Sequence, residues 1–351
     1  MEFHKIIVFI AFLLSTLIIT GVFADCTCEP EETNGDKSKA LRYKLIALAS
    51  ILTAGCIGIS LPFAGKFFPA LRPEKDGFFL VKAFAAGVIL ATGFIHILPH
   101  AFESLTSPCL KKHPWSDFPF TGFVAMVATI ATLLFETSAA AYQVRAQTAA
   151  VAKVVGDGGD EEVNGAHVDD DMLASHGHVH GSMLSTSDDS EVKRYRIVSQ
   201  VLELGIIIHS IVIGLSLGAS KNLKTIKPLL AALSFHQFFE GVGLGGCLFQ
   251  AKIKSLATTV MAVCFALTTP SGIVMGILVS NTYNENSATA LIVEGVLMAA
   301  AAGILIYMAL VDLLSPDFKN HKMQNNKILL FGSYISLLLG AGLMSLLAKW
   351  A

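Results

Sequence analysis

Five acidic and four imidazole side chains lie in or beside strongly apolar stretches of this chain: Glu136, Glu203, Glu240, Glu294 and Asp312, with His96, His100, His209 and His236. An acidic group at mid-membrane costs about 2.5–3.5 kcal/mol on insertion scales, so each must face protein and meet a cation, a proton or a donor. His236 and Glu240 are four residues apart, which stacks them on one face of a helix. An imidazole nitrogen and a carboxylate oxygen then converge on one point, at the roughly 2.0–2.2 Å bond lengths that Zn2+ prefers. His96 and His100 repeat the spacing, with Glu103 one turn further. Pro99 between them releases the carbonyl of Ile95 from its helical bond and predicts a bend there. His209 and Ser210 add nitrogen and oxygen donors from a third stretch. A lone buried imidazole more often hydrogen-bonds a carbonyl than ligates, but His209, His236 and Glu240 together point to a divalent cation.

Holding such groups in place requires an apolar scaffold, and the composition supplies one. Of 351 residues, 53% are hydrophobic and only 15% charged, which describes an integral membrane protein rather than a soluble domain. The formal charge of −2 leaves no basic surplus for a phosphate backbone, so nucleic acid is not an expected partner. Apolar runs at Leu45 to Ala64, Phe78 to Phe102, Phe120 to Tyr142, Val198 to Leu217, Leu229 to Phe249, Ser255 to Ser280, Ala288 to Leu313 and Ile328 to Leu347 are each long enough to cross the bilayer. No stretch shows the alternation of a membrane barrel, so the expectation is an all-α, polytopic bundle of eight transmembrane helices. Gly205, Gly214 and Gly218 on the fourth, with Gly241 and Gly245 on the fifth, predict close approach of those two helices.

Residues 1–24 read as a signal peptide: Lys5 precedes an apolar run too short to span, and Val22 and Ala24 fit the small positions before a cut. Residues 25–44 form a short extracytoplasmic segment and 45–142 carry helices 1–3. Residues 143–197 form an acidic, Gly- and Ser-containing cytosolic loop, expected to be disordered, and 198–351 carry helices 4–8. In that loop His176, His178 and His180 form a cluster suited to weak, reversible binding of a divalent cation. The bias of Lys and Arg toward the loop after helix 1 and those between helices 3 and 4, 5 and 6, and 7 and 8 makes these cytosolic and puts both termini outside. Cys26, Cys28 and Cys109 then fall in the oxidising compartment, as a bridge involving Cys109 or as free or metal-touching thiols.

Three stretches carry a family resemblance: His209-Ser210-Ile211-Val212-Ile213-Gly214-Leu215-Ser216-Leu217-Gly218, His236-Gln237-Phe238-Phe239-Glu240-Gly241, and Leu310-Val311-Asp312-Leu313-Leu314. They resemble the ZIP (Zrt- and Irt-like) divalent-metal transporters of plant type, over essentially the whole chain. The resemblance implies uptake of Zn2+, and in some members Fe2+ or Mn2+, toward the cytosol. It implies His209, His236 and Glu240 as transport ligands, Gln237 and Ser210 as auxiliary oxygen donors, and His96 and His100 lining the route. It further implies a homodimer, a 3+2+3 helix arrangement in which a bundle moves against a scaffold, and a plasma-membrane location. The cation is cargo, and no resident cofactor is expected. Binuclear-type relatives have a carboxylate where this chain has Ile213, which favours a single ion here. Close plant relatives commonly have Asp where this chain has His100, and the imidazole favours Zn2+ over Mn2+.

Two other classes compete with an importer. An exporter or metal sensor would use the same ligands. An intramembrane hydrolase would use Gly214-Leu215-Ser216-Leu217-Gly218 as a G-x-S-x-G motif, but Ser216 falls inside an apolar helix rather than at a strand-to-helix turn. Since imidazole must be neutral to ligate, uptake is expected to fall as pH drops through about 6.5, the ordinary histidine value.

Overall fold

The structure is a computed structural model that describes residues 37–65, 75–156, 180–220, 222–252, 255–280 and 287–350. Residues 1–24, expected to be a signal peptide, and Cys26, Cys28, His176 and His178 lie outside the described residues. Among those residues there is no strand, and the long helices are α1 (Lys37–Ala64), α2 (Asp76–Leu105), α3 (Phe120–Gly156), α4 (His180–Ala219), α5 (Leu223–Gln250), α6 (Ser255–Val279), α7 (Ala288–Phe318) and α8 (Lys327–Ala348). Seven of them are long and apolar enough to cross a membrane. The remaining one, α5, has the length, but His236, Gln237, Glu240 and four glycines dilute its apolar character. Those polar side chains are buried inside the bundle rather than on its outer face.

Two helices run well beyond their apolar stretches. Residues 143–156 continue α3, and α4 begins at His180 instead of near Val198. Thus the described parts of the 143–197 segment are helical where disorder was expected. The α3 extension carries Ala146, Ala149, Ala150 and Ala152, and alanine is the strongest helix former once a helix is already nucleated.

Helix pairing follows a pattern that repeats itself. α1 packs most extensively on α5, α6 on α4, α2 on α8 and α7 on α3. Exchanging α1–α3 with α6–α8, and α4 with α5, maps each pair onto another, the signature of an internal structural repeat. The 3+2+3 grouping fits this pattern. The two halves share a local feature as well. In α2, Thr92–Ile97 is π-helical and Pro99 follows; in α7, Met308–Leu314 is π-helical and Pro316 follows. A proline lacks the N–H that its upstream carbonyl needs, so the backbone there winds wider instead. The bend predicted at Pro99 takes this form.

Glycine sets the closest approaches, though between other helices than expected. A Cβ on Gly58 of α1 would lie 2.1 Å from the Phe238 carbonyl oxygen of α5, and one on Gly245 would lie 2.5 Å from that of Ile59. On α4, a Cβ at Gly218 would lie 2.2 Å from the Ile273 oxygen of α6, while Gly276 meets Leu215 at 2.3 Å. Gly205 faces Ile304 of α7. The glycines of α4 and α5 therefore do not join these helices to each other: Gly214 and Gly218 serve α6, and Gly241 and Gly245 serve α1. Small-x-x-x-small spacing says that a backbone can come close, and is silent on which backbone.

Backbone-on-backbone contact thus ties α1 to α5 and α4 to α6, and likewise α2 to α8 through Gly87 and Gly340 and α3 to α7 through Gly303. Between the set α1, α4, α5, α6 and the set α2, α3, α7, α8, the glycines meet side chains, as where Gly243 faces Ile89 and Leu313.

Long-range polar contacts mark the two ends of the bundle. Lys82 bonds Asp317 at 2.9 Å, Lys322 pairs with Asp76 at 2.7 Å, and Arg196 donates to the Ala251 carbonyl at 3.1 Å. At the other end Lys44 donates to the Gly218 carbonyl at 2.6 Å. Cys109, in the segment joining α2 to α3, is disulfide-bonded, while Cys56, Cys247 and Cys264 are free.

Candidate metal site

His209 sits ten residues before the C-terminal end of α4, and His236 and Glu240 lie one turn apart on α5. All three side chains are buried. Each offers a ligand atom, and these atoms lie within 4.8 Å of one another. The Nε2 atoms of His209 and His236 face each other at 3.5 Å. Two ligands at about 2.0–2.1 Å from one tetrahedral ion are about 3.3–3.4 Å apart, so this separation suits a shared cation. Neither oxygen of Glu240 has a hydrogen-bond partner, although the residue is wholly buried. A carboxylate in that state carries a large desolvation cost that a bound cation removes.

The π-helical turn of α2 brings His96 to the same place. Its ring centroid is 5.7 Å from that of His236 and 6.2 Å from that of His209, and its Nε2 is buried without a partner. Three imidazoles from α2, α4 and α5 therefore surround one region. Ser210 is buried with an unpartnered hydroxyl. Gln237 is held by α6: Thr269 donates to its Oε1 at 3.1 Å, and its amide nitrogen is left without a partner.

His100 stands apart from this cluster. It is one turn beyond His96 on α2, its side chain is 32% exposed, and its Nε2 lies 3.8 Å from Oε1 of Glu294 on α7. His180 is the first residue of α4, at the far end of that helix from His209. The structure therefore brings His96, His209, His236 and Glu240 together; the Gln237 side chain instead meets Thr269 of α6 and Gly55 of α1, Ser210 is placed only as the residue after His209, and His100 lies one turn away on α2.

A second polar cluster occupies the opposite end. Tyr307 donates to Glu136 at 2.6 Å, and Arg194 of α4 lies 3.9 Å from Glu136 and 3.6 Å from the buried Asp312. The latter pair is electrostatic without a hydrogen bond, since both Asp312 oxygens lack one. Glu136 and Asp312 were legible as charges at membrane depth, whereas Arg194 gave only a loop-charge signal. Thr269 gave none, being one hydroxyl in an apolar helix. Glu203 is buried with both oxygens unpartnered, six residues before His209 and near enough to Cys264 of α6 to act on it electrostatically.

A profile of the ZIP zinc transporter family matches residues 41–348. The chain belongs to the ZIP zinc transporter family. It is 51% identical over 331 residues to zinc transporter 5 of Oryza sativa subsp. japonica, covering 93% of this chain and 92% of that protein. It is 50% identical over 354 residues to zinc transporter 3 of Arabidopsis thaliana, covering 98% of each. ZIP membership makes the chain a multi-pass membrane transporter and not an enzyme. The local geometry agrees: Ser216 lies inside the unbroken helix α4, and Gly214 and Gly218 around it pack on α6, so the G-x-S-x-G stretch is a helix-packing motif.

Proposed function

We propose that the protein carries Zn2+ toward the cytosol, with His209, His236 and Glu240 as the transport ligands. The observation that supports this reading most is the convergence of these buried groups from α4 and α5 within 4.8 Å. Nitrogen and oxygen donors without thiolate hold zinc well enough to strip part of its water and weakly enough to release it. His96 completes the inner shell from α2, Gln237 and Ser210 supply auxiliary oxygens, and His100 stands on the outer approach. Fe2+ and Mn2+ are secondary cargo.

All eight helices cross the membrane in this proposal, with residues 1–24 as a cleaved signal peptide and both mature termini outside. The disulfide at Cys109 supports this sidedness, because such bonds persist in an oxidising compartment. The segment 143–197 is then cytosolic, where His176, His178 and His180 receive or sense the released ion. A homodimer in the plasma membrane completes the reading, on the strength of the family resemblance. Movement of α1, α4, α5 and α6 against the other four helices would carry the ion inward, and the side-chain interface between the sets is the surface that can slide.

Expression in zinc-uptake-deficient cells with radiolabelled Zn2+ tests the proposal. Accumulation by the wild type, abolished in His209→Ala, His236→Ala and Glu240→Ala at equal surface abundance, is the expected result. Net loss of zinc from loaded cells would make the protein an exporter and overturn the direction assigned.

A further inference from the structure

The pairing of His100 with Glu294 is set by the packing around it. On α7, Gly295 follows Glu294, and a Cβ there would lie 2.5 Å from Leu105 and 3.1 Å from Ser104 of α2. The bare glycine lets α7 press against the last turn of α2, which brings the preceding carboxylate level with His100. The ligand atoms are then 3.8 Å apart, beyond hydrogen-bonding distance and somewhat wider than the roughly 3.3–3.4 Å of two ligands on one tetrahedral cation, so a small inward turn of either side chain lets both reach one ion. His100 has a second nitrogen, Nδ1, that is buried and unpartnered. One turn, about 6 Å, separates His100 from His96, which contacts the inner imidazoles.

Building on the transport reading above, we propose that His100 and Glu294 form an outer loading site for a divalent cation. The site captures a hydrated ion from the external side, exchanges part of its water for one nitrogen and one carboxylate oxygen, and passes it by way of His96 to His209, His236 and Glu240. The partial exposure of His100, against full burial of the inner ligands, fits a site that keeps some water on the ion. The carboxylate supplies the charge that draws a cation toward the mouth, and the imidazole biases the choice toward zinc over a harder ion.

The test uses the purified full-length chain with the inner site disabled by His209→Ala and Glu240→Gln and the loop imidazoles removed by His176→Ala, His178→Ala and His180→Ala. Equilibrium binding of radiolabelled Zn2+ should leave a low-affinity equivalent that disappears on adding Glu294→Gln or, separately, His100→Ala. Absence of that equivalent, or its survival through both substitutions, overturns the proposal. In cells, with the inner site intact, Glu294→Gln should raise the KM for zinc uptake about tenfold at unchanged Vmax per surface molecule, the scale of a lost electrostatic capture. Glu294→Asp should stay within about threefold. A fall in Vmax with unchanged KM for Glu294→Gln would mark the pair as structural and contradict the assignment. If the wild type moves no zinc while the binding pattern holds, the transport reading fails and the outer site stands.

Discussion

Replacing Gly58 by alanine would put a methyl group 2.1 Å from the Phe238 carbonyl oxygen. Ordinary contact begins near 3.4 Å, so α5 would have to retreat from α1 by about 1.3 Å at this level. The backbone that moves carries His236 and Gln237 directly before Phe238, and Glu240 two residues after it. Helix propensity alone would favour the alanine by about 1 kcal/mol, so the sign of the outcome is decided by the clash. A binding constellation tolerates about 0.5 Å of displacement, and a 1 Å misplacement costs on the order of a hundredfold where geometry is critical. Zinc uptake per surface molecule should therefore fall about 10- to 100-fold in Gly58→Ala. Gly342→Ala is the matched control, because a Cβ there meets nothing within 4 Å. Radiolabelled uptake normalised to surface-biotinylated protein measures both variants. Equal uptake by Gly58→Ala and wild type would refute the argument that the α1–α5 contact positions the ligands.

Thr269→Val removes the hydroxyl that holds Gln237, and should raise the KM for zinc by about tenfold without loss of surface expression, in line with other supporting contacts around a metal site. Ser216→Ala should leave uptake within about twofold, since the residue only packs in α4; abolition there would revive the hydrolase alternative. Arg194→Gln strands the buried Asp312 and should lower the melting temperature of the purified protein, and Asp312→Asn in the same chain should recover part of the loss. A melting temperature unchanged by Arg194→Gln would show that the pair bears no load. A membrane-impermeant maleimide applied outside intact cells should label Cys109 only after reduction; labelling without reductant would refute the disulfide, and labelling only after permeabilisation would reverse the sidedness.

The ligands themselves were legible because expensive groups in an apolar stretch have few reasons to be there, and the four-residue step from His236 to Glu240 fixes a shared helical face. The apolar runs located the eight long helices found among the described residues. What escaped the sequence was tertiary choice. Gly214 and Gly241 advertised close packing, yet each sits against a helix, α6 or α1, that only the folded topology selects. Thr269 became informative only when Gln237 was placed beside it, and Glu294, conspicuous as a charge at membrane depth, gained a partner only when His100 was placed beside it. The ends of α3 and α4 were missed because hydropathy drops at the membrane surface while helix propensity continues past it. The π-helical turn of α2 was half-visible, since Pro99 foretells a disturbed carbonyl but not the way the backbone absorbs it, whereas the matching turn before Pro316 was not anticipated.

The central claim is that α4 and α5 jointly grip one partly dehydrated cation. X-ray absorption at the zinc edge tests it directly, on full-length protein carrying His176→Ala, His178→Ala and His180→Ala and loaded with a single equivalent of Zn2+. The account predicts a nitrogen and oxygen shell at about 2.0–2.1 Å with imidazole scattering that diminishes in His209→Ala and again in His236→Ala. A sulfur shell at about 2.3 Å, or a spectrum indifferent to both substitutions, would contradict it.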